Sequence, residues 1–172
     1  MKFTENFCRI DGVVIHSIPK NEDNRGFLFE LFRNDELKSE HQPVMAYISW
    51  TKPNVTRGPH EHHDQTDLFC FVGPGEFELH LWDNRSTAGR SDADAWIDLK
   101  SIQESHEVHL VGESNPVSVI VPPGVVHGYK CISEKDGLVF NAPNQLYAGP
   151  GKKYPVDEIR HEHEHDPKFK ID

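Results

Sequence analysis

The residues in this sequence best placed to do chemistry are histidines set between turns. In Thr56-Arg57-Gly58-Pro59-His60-Glu61-His62 a Gly-Pro turn leads into imidazoles at alternating positions, and the run continues through Asp67 to Gly73-Pro74-Gly75. Residues two apart on an extended chain share a face, so His60 and His62 point the same way. A distant piece, Pro122-Pro123-Gly124-Val125-Val126-His127-Gly128-Tyr129, presents another imidazole on a second strand after its own turn. Imidazole exchanges protons near neutral pH and is also a common metal ligand. With 12 histidines in the chain, a surface cluster is the simpler reading of any one of them. Two turn-bounded strands that both carry them favour a site.

The elements that must position these side chains read mostly as strands. Gly12 to Ile18, Phe27 to Phe32, Pro43 to Trp50, Leu68 to Val72, Glu76 to Trp82, Ala95 to Leu99, His106 to Val111, Val117 to Val121, Val125 to Ile132 and Leu138 to Asn141 are short apolar or alternating runs. Gly, Pro, Asn and Asp clusters separate them, the pattern of an all-β sandwich or barrel. Residues 19–24 read as a polar turn, and Asn34 to Glu40 as a short helix capped by Asn34. The Phe27–Phe32 run is apolar on both faces, which suits contact with a partner subunit. From about residue 148 the chain reads as coil, and Arg160-His161-Glu162-His163-Glu164-His165-Asp166 as a solvated tail.

Length and composition narrow the classes. A chain of 172 residues without internal repeat or linker reads as one domain, residues 1–172. A formal charge of −10 argues against nucleic-acid backbone and anionic lipid as partners, since both need a cationic surface. No apolar run approaches the roughly 20 residues that cross a bilayer, nor does a signal-peptide core follow the first residues, so a cytoplasmic address is expected. Cys8, Cys70 and Cys131 lack any Cys-x-x-Cys spacing and read as free thiols.

Four motifs, in order, resemble the cupin superfamily and within it the dTDP-4-dehydrorhamnose 3,5-epimerase family. Arg25-Gly26-Phe27-Leu28-Phe29-Glu30 is similar to the family's Arg-Gly-Phe-x-x-Glu, and Arg57-Gly58-Pro59-His60 to its Arg-Gly-x-His. Gly75-Glu76-Phe77 through Asp83-Asn84-Arg85 resembles its Gly-Glu-Val-Phe segment and the Asp-x-Arg that follows. Pro123-Gly124-Val125-Val126-His127-Gly128-Tyr129 resembles its Pro-x-Gly-Phe-Ala-His-Gly-Phe, and the match runs roughly from Asp23 to Tyr147. The resemblance implies a double-stranded β-helix jelly roll that forms a homodimer and lends an N-terminal strand to its neighbour. It implies a nucleotide-linked 4-keto-6-deoxyhexose as substrate and no cofactor. A ketone acidifies the C–H bonds beside it, so a base can remove a proton and an acid return one to the opposite face through an enolate. By the match, His60 is the base, His127 lines the same pocket, Arg57 grips the diphosphate, and Arg25, Phe27 and Glu30 reach the nucleotide from the partner. Tyr147, where the match ends, joins the substrate contacts.

Several family positions differ. The lysine that supports the enolate oxygen reads Leu68 or its neighbour Asp67, the tyrosine acid reads Phe140, and an aspartate of the Phe-Asp-Val strand reads Leu79. A glutamine and an asparagine on the strand before the first motif read Met45 and Tyr47, and no copy of the family's C-terminal aspartate is recognisable. Tyr129 offers a phenol in compensation, and His62, standing where the epimerases carry glutamine, offers a second imidazole to the substrate. An alternative follows from the same residues: His60, His62, Asp67 and His127 match the usual cupin ligand set with aspartate for glutamate, and suit one divalent transition metal. A third is a binding module that keeps the pocket without the chemistry.

Overall fold

Alternating apolar residues build two antiparallel sheets whose inner faces pack on one another. The structure, a computed structural model, describes residues 5, 6, 8–85, 105–163 and 168–172. Its strands are β1 (Glu5–Asn6), β2 (Val14–Ser17), β3 (Lys20–Asp23), β4 (Gly26–Phe29), β5 (Tyr47–Thr51), β6 (Thr56–Glu61), β7 (Asp67–Phe71), β8 (Glu76–Asp83), β9 (Glu107–Gly112), β10 (Val117–Val121), β11 (Val125–Cys131), β12 (Gly137–Asn141) and β13 (Ile159–Arg160). One sheet has the order β1-β2-β10-β7-β12-β5, the other β13-β6-β11-β8-β9, and β3 and β4 form a separate hairpin. This is the expected jelly roll. No helix among the described residues is long and apolar enough to cross a membrane.

Between the sheets lies a core of Phe69, Phe71, Phe77, Leu79, Leu81, Val117, Val119, Val121, Val125, Tyr129 and Val139. Strand β7 is buried on both faces, because Phe69 and Phe71 enter this core while Leu68 packs outward with Ile120, Ala142, Phe32, Leu37 and Phe140. Burial of such side chains is the main favourable term holding the sheets together. Leu79, at a family aspartate position, is plain core.

Three expectations are corrected. The helix over Asn34 to Glu40 does not form; the segment is turn, with a 3₁₀ turn at Ser39–His41. The stretch is mostly charged and offers no apolar stripe to bury, and Arg33 instead pairs with Glu30, Asp35 and Glu36. Residues 20–23, expected as part of a turn, form β3 against β4, a pairing of exposed residues that leaves no alternation to read. The tail is not wholly solvated: β13 pairs with β6, His161 Nε2 lies 2.9 Å from Glu61 Oε1, and Phe169 is buried against Trp82. Of the expected tail, 164–166 lie outside the described residues, as does the expected strand Ala95 to Leu99.

Candidate active site

Strands β6 and β11 are neighbours in the second sheet, and their register sets His60 directly opposite His127. Cross-strand partners on one face touch, and the two rings sit with centroids 4.5 Å apart. His62, just past β6, lies 5.3 Å from His60 and 5.7 Å from His127 by ring centroid. Gly58 is required for this approach: its φ is +80°, and a Cβ there would lie 2.7 Å from the His127 carbonyl oxygen. The motif glycine therefore lets β6 come close enough for the imidazoles to meet.

The opposing sheet supplies the anion. Asp67, the first residue of β7, is 1% exposed, and its Oδ2 is 3.1 Å from His62 Nε2 and 3.2 Å from His127 Nε2. Its Oδ1 accepts from Gln65 Nε2 at 2.9 Å, with Asn141 Nδ2 at 3.5 Å. Burial disfavours the charged carboxylate, but the two imidazoles outweigh it and hold Asp67 well below the usual range. Burial pulls His62 down, and Asp67 together with Asp157 more than reverses that, raising it. His60 is different. Burial, and then the neighbouring His127 and His62, push it down to about 2, so its ring is neutral. Among the described residues no side chain or backbone group hydrogen-bonds to that ring, which leaves its lone pair open.

The remaining hydrogen bonds define tautomers. His127 Nδ1 donates to the Val125 carbonyl at 2.9 Å, and His62 Nδ1 donates to the Asp157 carbonyl. A carbonyl only accepts, so both Nδ1 atoms carry protons. In the neutral rings both Nε2 lone pairs would then face the same Asp67 oxygen. Protonation of the rings or a bound cation between them removes that repulsion. His60, His62, Asp67 and His127 each offer a ligand atom, all within 4.8 Å of one another, so the set fits a divalent transition metal.

Of these groups Asp67 and His127 are buried, and beside them His60 and His62 line a cavity of about 1190 Å³. Arg57 lines it, with Nε donating to Thr51 Oγ1 at 2.9 Å and Nη2 to the Trp50 carbonyl at 2.8 Å, which fixes the guanidinium while other N–H donors stay available. Tyr129 reaches the same cavity from beneath; it is 5% exposed, packed on Phe69, Phe71 and Phe77, and its hydroxyl is 2.8 Å from Ser49 Oγ. Tyr147 lies at the rim, half-exposed.

The structure thus brings together His60, His62, Asp67, His127, Arg57, Tyr129 and Tyr147, and leaves Arg25, Phe27 and Glu30 elsewhere in the same chain. Arg25 pairs with Asp23 at the exposed hairpin, Phe27 is 60% exposed on β4, and Glu30 borders a separate groove of about 400 Å³. Of the positions where the family pattern is broken, Phe140 turns outward against Phe32, with ring centroids 6.5 Å apart, and Leu68 is also on that outer side.

Sequence reasoning missed three residues. Asp157 accepts from the backbone N–H groups of His63, Asp64 and Gln65 at 2.8, 2.9 and 2.9 Å, clamping the loop that carries His62. Its coil setting gave no periodic signal. Gln65 and Asn141 complete the Asp67 shell, and both looked like ordinary loop or strand polar residues.

Fold and site together define a cupin jelly roll with a polar, histidine-lined pocket in its mouth. A model of the dTDP-4-dehydrorhamnose 3,5-epimerase family matches residues 8–158, and the chain belongs to that family. It is a sugar-nucleotide epimerase by class. Among similar sequences are the spore coat polysaccharide biosynthesis protein SpsL of Bacillus subtilis, 36% identical over 127 residues that cover 73% of this chain and 74% of that protein. Another is the probable low-salt glycan biosynthesis epimerase Agl13 of Haloferax volcanii, 31% identical over 139 residues, covering 80% and 81%. The fold is shared with NovW, a 4-keto-6-deoxy sugar epimerase from Streptomyces spheroides, at TM-score 0.71 and 17% identity, covering 100% of this chain and 79% of that one. It is shared too with the epimerase RmlC of Legionella pneumophila, solved with dTDP-4-keto-L-rhamnose, at TM-score 0.71 and 20% identity, covering 99% and 83%.

Proposed function

We propose that this protein epimerises C3, C5 or both of a nucleotide-linked 4-keto-6-deoxyhexose, with His60 as the base that removes the proton. The carrying observation is the His60 ring, neutral and without a protein hydrogen bond among the described residues, in a cavity that also holds Arg57. A conjugate acid of pKa about 2 is far from the match a general base needs near neutrality. The bound substrate corrects this in the right direction, because its phosphates and the developing enolate are negative charges that favour an imidazolium. His62, paired with Asp67, faces the same cavity and supplies positive charge in place of the family's lysine, whose position reads Leu68 or Asp67 here. His127, buried against both rings, holds the His60 face in place. Arg57, anchored by Thr51 and Trp50, binds the diphosphate, and Tyr129 and Tyr147 line the floor and rim.

The working unit of this reading is a homodimer. Phe27 and Leu28 stand exposed on a hairpin that pairs with no other strand among the described residues, and the edge strand β5 exposes Ile48 and Trp50. A hairpin docked on a neighbour's edge covers both apolar surfaces and carries Arg25, Phe27 and Glu30 toward the neighbour's pocket.

The test is turnover of a dTDP-linked 4-keto-6-deoxyhexose in deuterium oxide. Deuterium entering C3 or C5, with inversion at that carbon, is the expected result. Tight binding with no exchange at either carbon across a panel of sugar nucleotides overturns the reading and leaves a binding module.

A second reading rests on the converging Nε2 atoms of His62 and His127 with the open ring of His60. On it, His60, His62, Asp67 and His127 hold one divalent transition metal, which when bound supplies a Lewis acid in the pocket. Elemental analysis of untagged protein decides between them. Under the first reading, activity is unchanged after chelation and metal is far below one equivalent per chain; about one equivalent, with activity lost on its removal, establishes the second.

A further inference from the structure

Inversion through an enolate needs a proton donor on the side of the sugar ring opposite the base, and β12 does not provide one, since Phe140 faces away from the pocket. We propose that Tyr47 is that donor: a catalytic phenol moved from β12 to the adjacent edge strand β5. The inference rests on the epimerase reading above.

Four observations carry it. Tyr47 and Asn141 are register partners across β5 and β12. Tyr47 Oη accepts a hydrogen bond from Asn141 Nδ2 at 2.7 Å, while the same Nδ2 lies 3.5 Å from Asp67 Oδ1. The reverse amide orientation would turn the Asn141 carbonyl toward the Asp67 carboxylate, acceptor against acceptor, so the amide nitrogen is the atom that faces both. The Tyr47 oxygen is therefore oriented by a donor, and its own proton has no acceptor among the described residues. Tyr47 lines the cavity that holds His60, His62 and Arg57. Finally, His60 stands on β6 in one sheet and Tyr47 on β5 in the other. A hexose between the sheets has the imidazole on one face and the phenol on the opposite face, the arrangement inversion requires.

Of the other phenols lining the cavity, Tyr147 and Tyr154 are more exposed, and Tyr129 is worse placed. Tyr129 is walled by three phenylalanine rings and its hydroxyl is already paired with Ser49. Tyr47 is half-exposed at the mouth. Burial of its hydroxyl, with the nearby Asp67 charge adding, raises the phenol, so it holds its proton at rest.

The protons balance. His60 takes the proton from the carbon beside the ketone as the C–H electron pair moves into the enolate and onto the C4 oxygen. The enolate carbon then takes the Tyr47 proton on its other face and the carbonyl re-forms. Imidazolium and phenolate remain, and the first releases a proton to water as the second regains one. The Asn141 N–H, already aimed at Oη, holds the transient phenolate.

The experiment compares wild type with Tyr47→Phe and Tyr129→Phe on a dTDP-linked 4-keto-6-deoxyhexose in deuterium oxide, following deuterium entry and inversion separately. Abstraction and return by His60 alone washes deuterium into the unreacted epimer. Tyr47→Phe is expected to keep deuterium entry within about threefold and to lose inversion by at least about 100-fold, in line with removal of a general acid. Tyr129→Phe is expected to keep both. Loss of inversion with retained deuterium entry in Tyr129→Phe, and not in Tyr47→Phe, assigns the proton return to Tyr129 and overturns the proposal. Inversion by Tyr47→Phe within about threefold of wild type overturns the proposal, and so does loss of entry and inversion together in a variant with wild-type unfolding midpoint and dTDP affinity. A wild type that exchanges at neither carbon is a separate result, which removes the epimerase reading itself.

Discussion

His60→Ala is expected to lower deuterium entry and inversion together, by about 10³-fold, while dTDP affinity and the unfolding midpoint stay close to wild type. A positioned acid or base contributes about 10² to 10⁴ in rate, and among the described residues His60 makes no hydrogen bond whose loss would disturb the fold. Its neighbours His127 and His62 are anchored independently, by Val125, Asp157 and Asp67, so the pocket outlasts the loss of one ring. The joint loss of both signals is the opposite of the split expected for Tyr47→Phe, and the pair of variants separates the group that takes the proton from the group that returns it. Deuterium entry at more than a tenth of the wild-type rate in His60→Ala rules out His60 as the base.

Asp67→Ala is expected to have the largest effect on the folded protein, about 3–5 kcal/mol in chemical denaturation near neutral pH, the range for removing one partner of a buried charged set. The carboxylate is almost wholly buried and gathers His62, His127 and Gln65, with Asn141 beside it. Without it the two Nε2 atoms lose the oxygen they both face, and the β7 end of the pocket has no anion. Turnover is expected to fall at least about 100-fold, because His62 no longer has the partner that keeps its charge in the cavity. A denaturation midpoint unchanged from wild type would show that Asp67 is not the centre that organises these rings.

Strand periodicity carried well into the structure. The expected Val117–Val121 strand is β10 residue for residue, and β7, β8, β11 and β12 begin and end within one residue of their expected limits. These strands border the core, with burial alternating along β12 and continuous along β7 and β10, and their apolar runs mark them in the sequence. Where neither face is buried, as in β3, or where burial involves single side chains such as His161 and Phe169, there is no alternation to read. The helix expected over Asn34 to Glu40 failed for the complementary reason: capping chemistry alone cannot hold a segment that has no apolar stripe to dock.

The sequence by itself determined that His60 and His62 share a strand face, that His127 follows a turn of its own, and that the family motifs run in order along one jelly roll. Only the tertiary structure decided that β6 and β11 are neighbours in register, that Asp67 reaches both imidazoles across the sandwich, and that Phe140 turns outward while Tyr47 enters the pocket. The physical reason is range. A two-residue repeat is a local property of extended backbone, whereas the partner that sets a ring's tautomer, or the phenol that faces it, comes from strands remote in sequence that meet only when the sheets close.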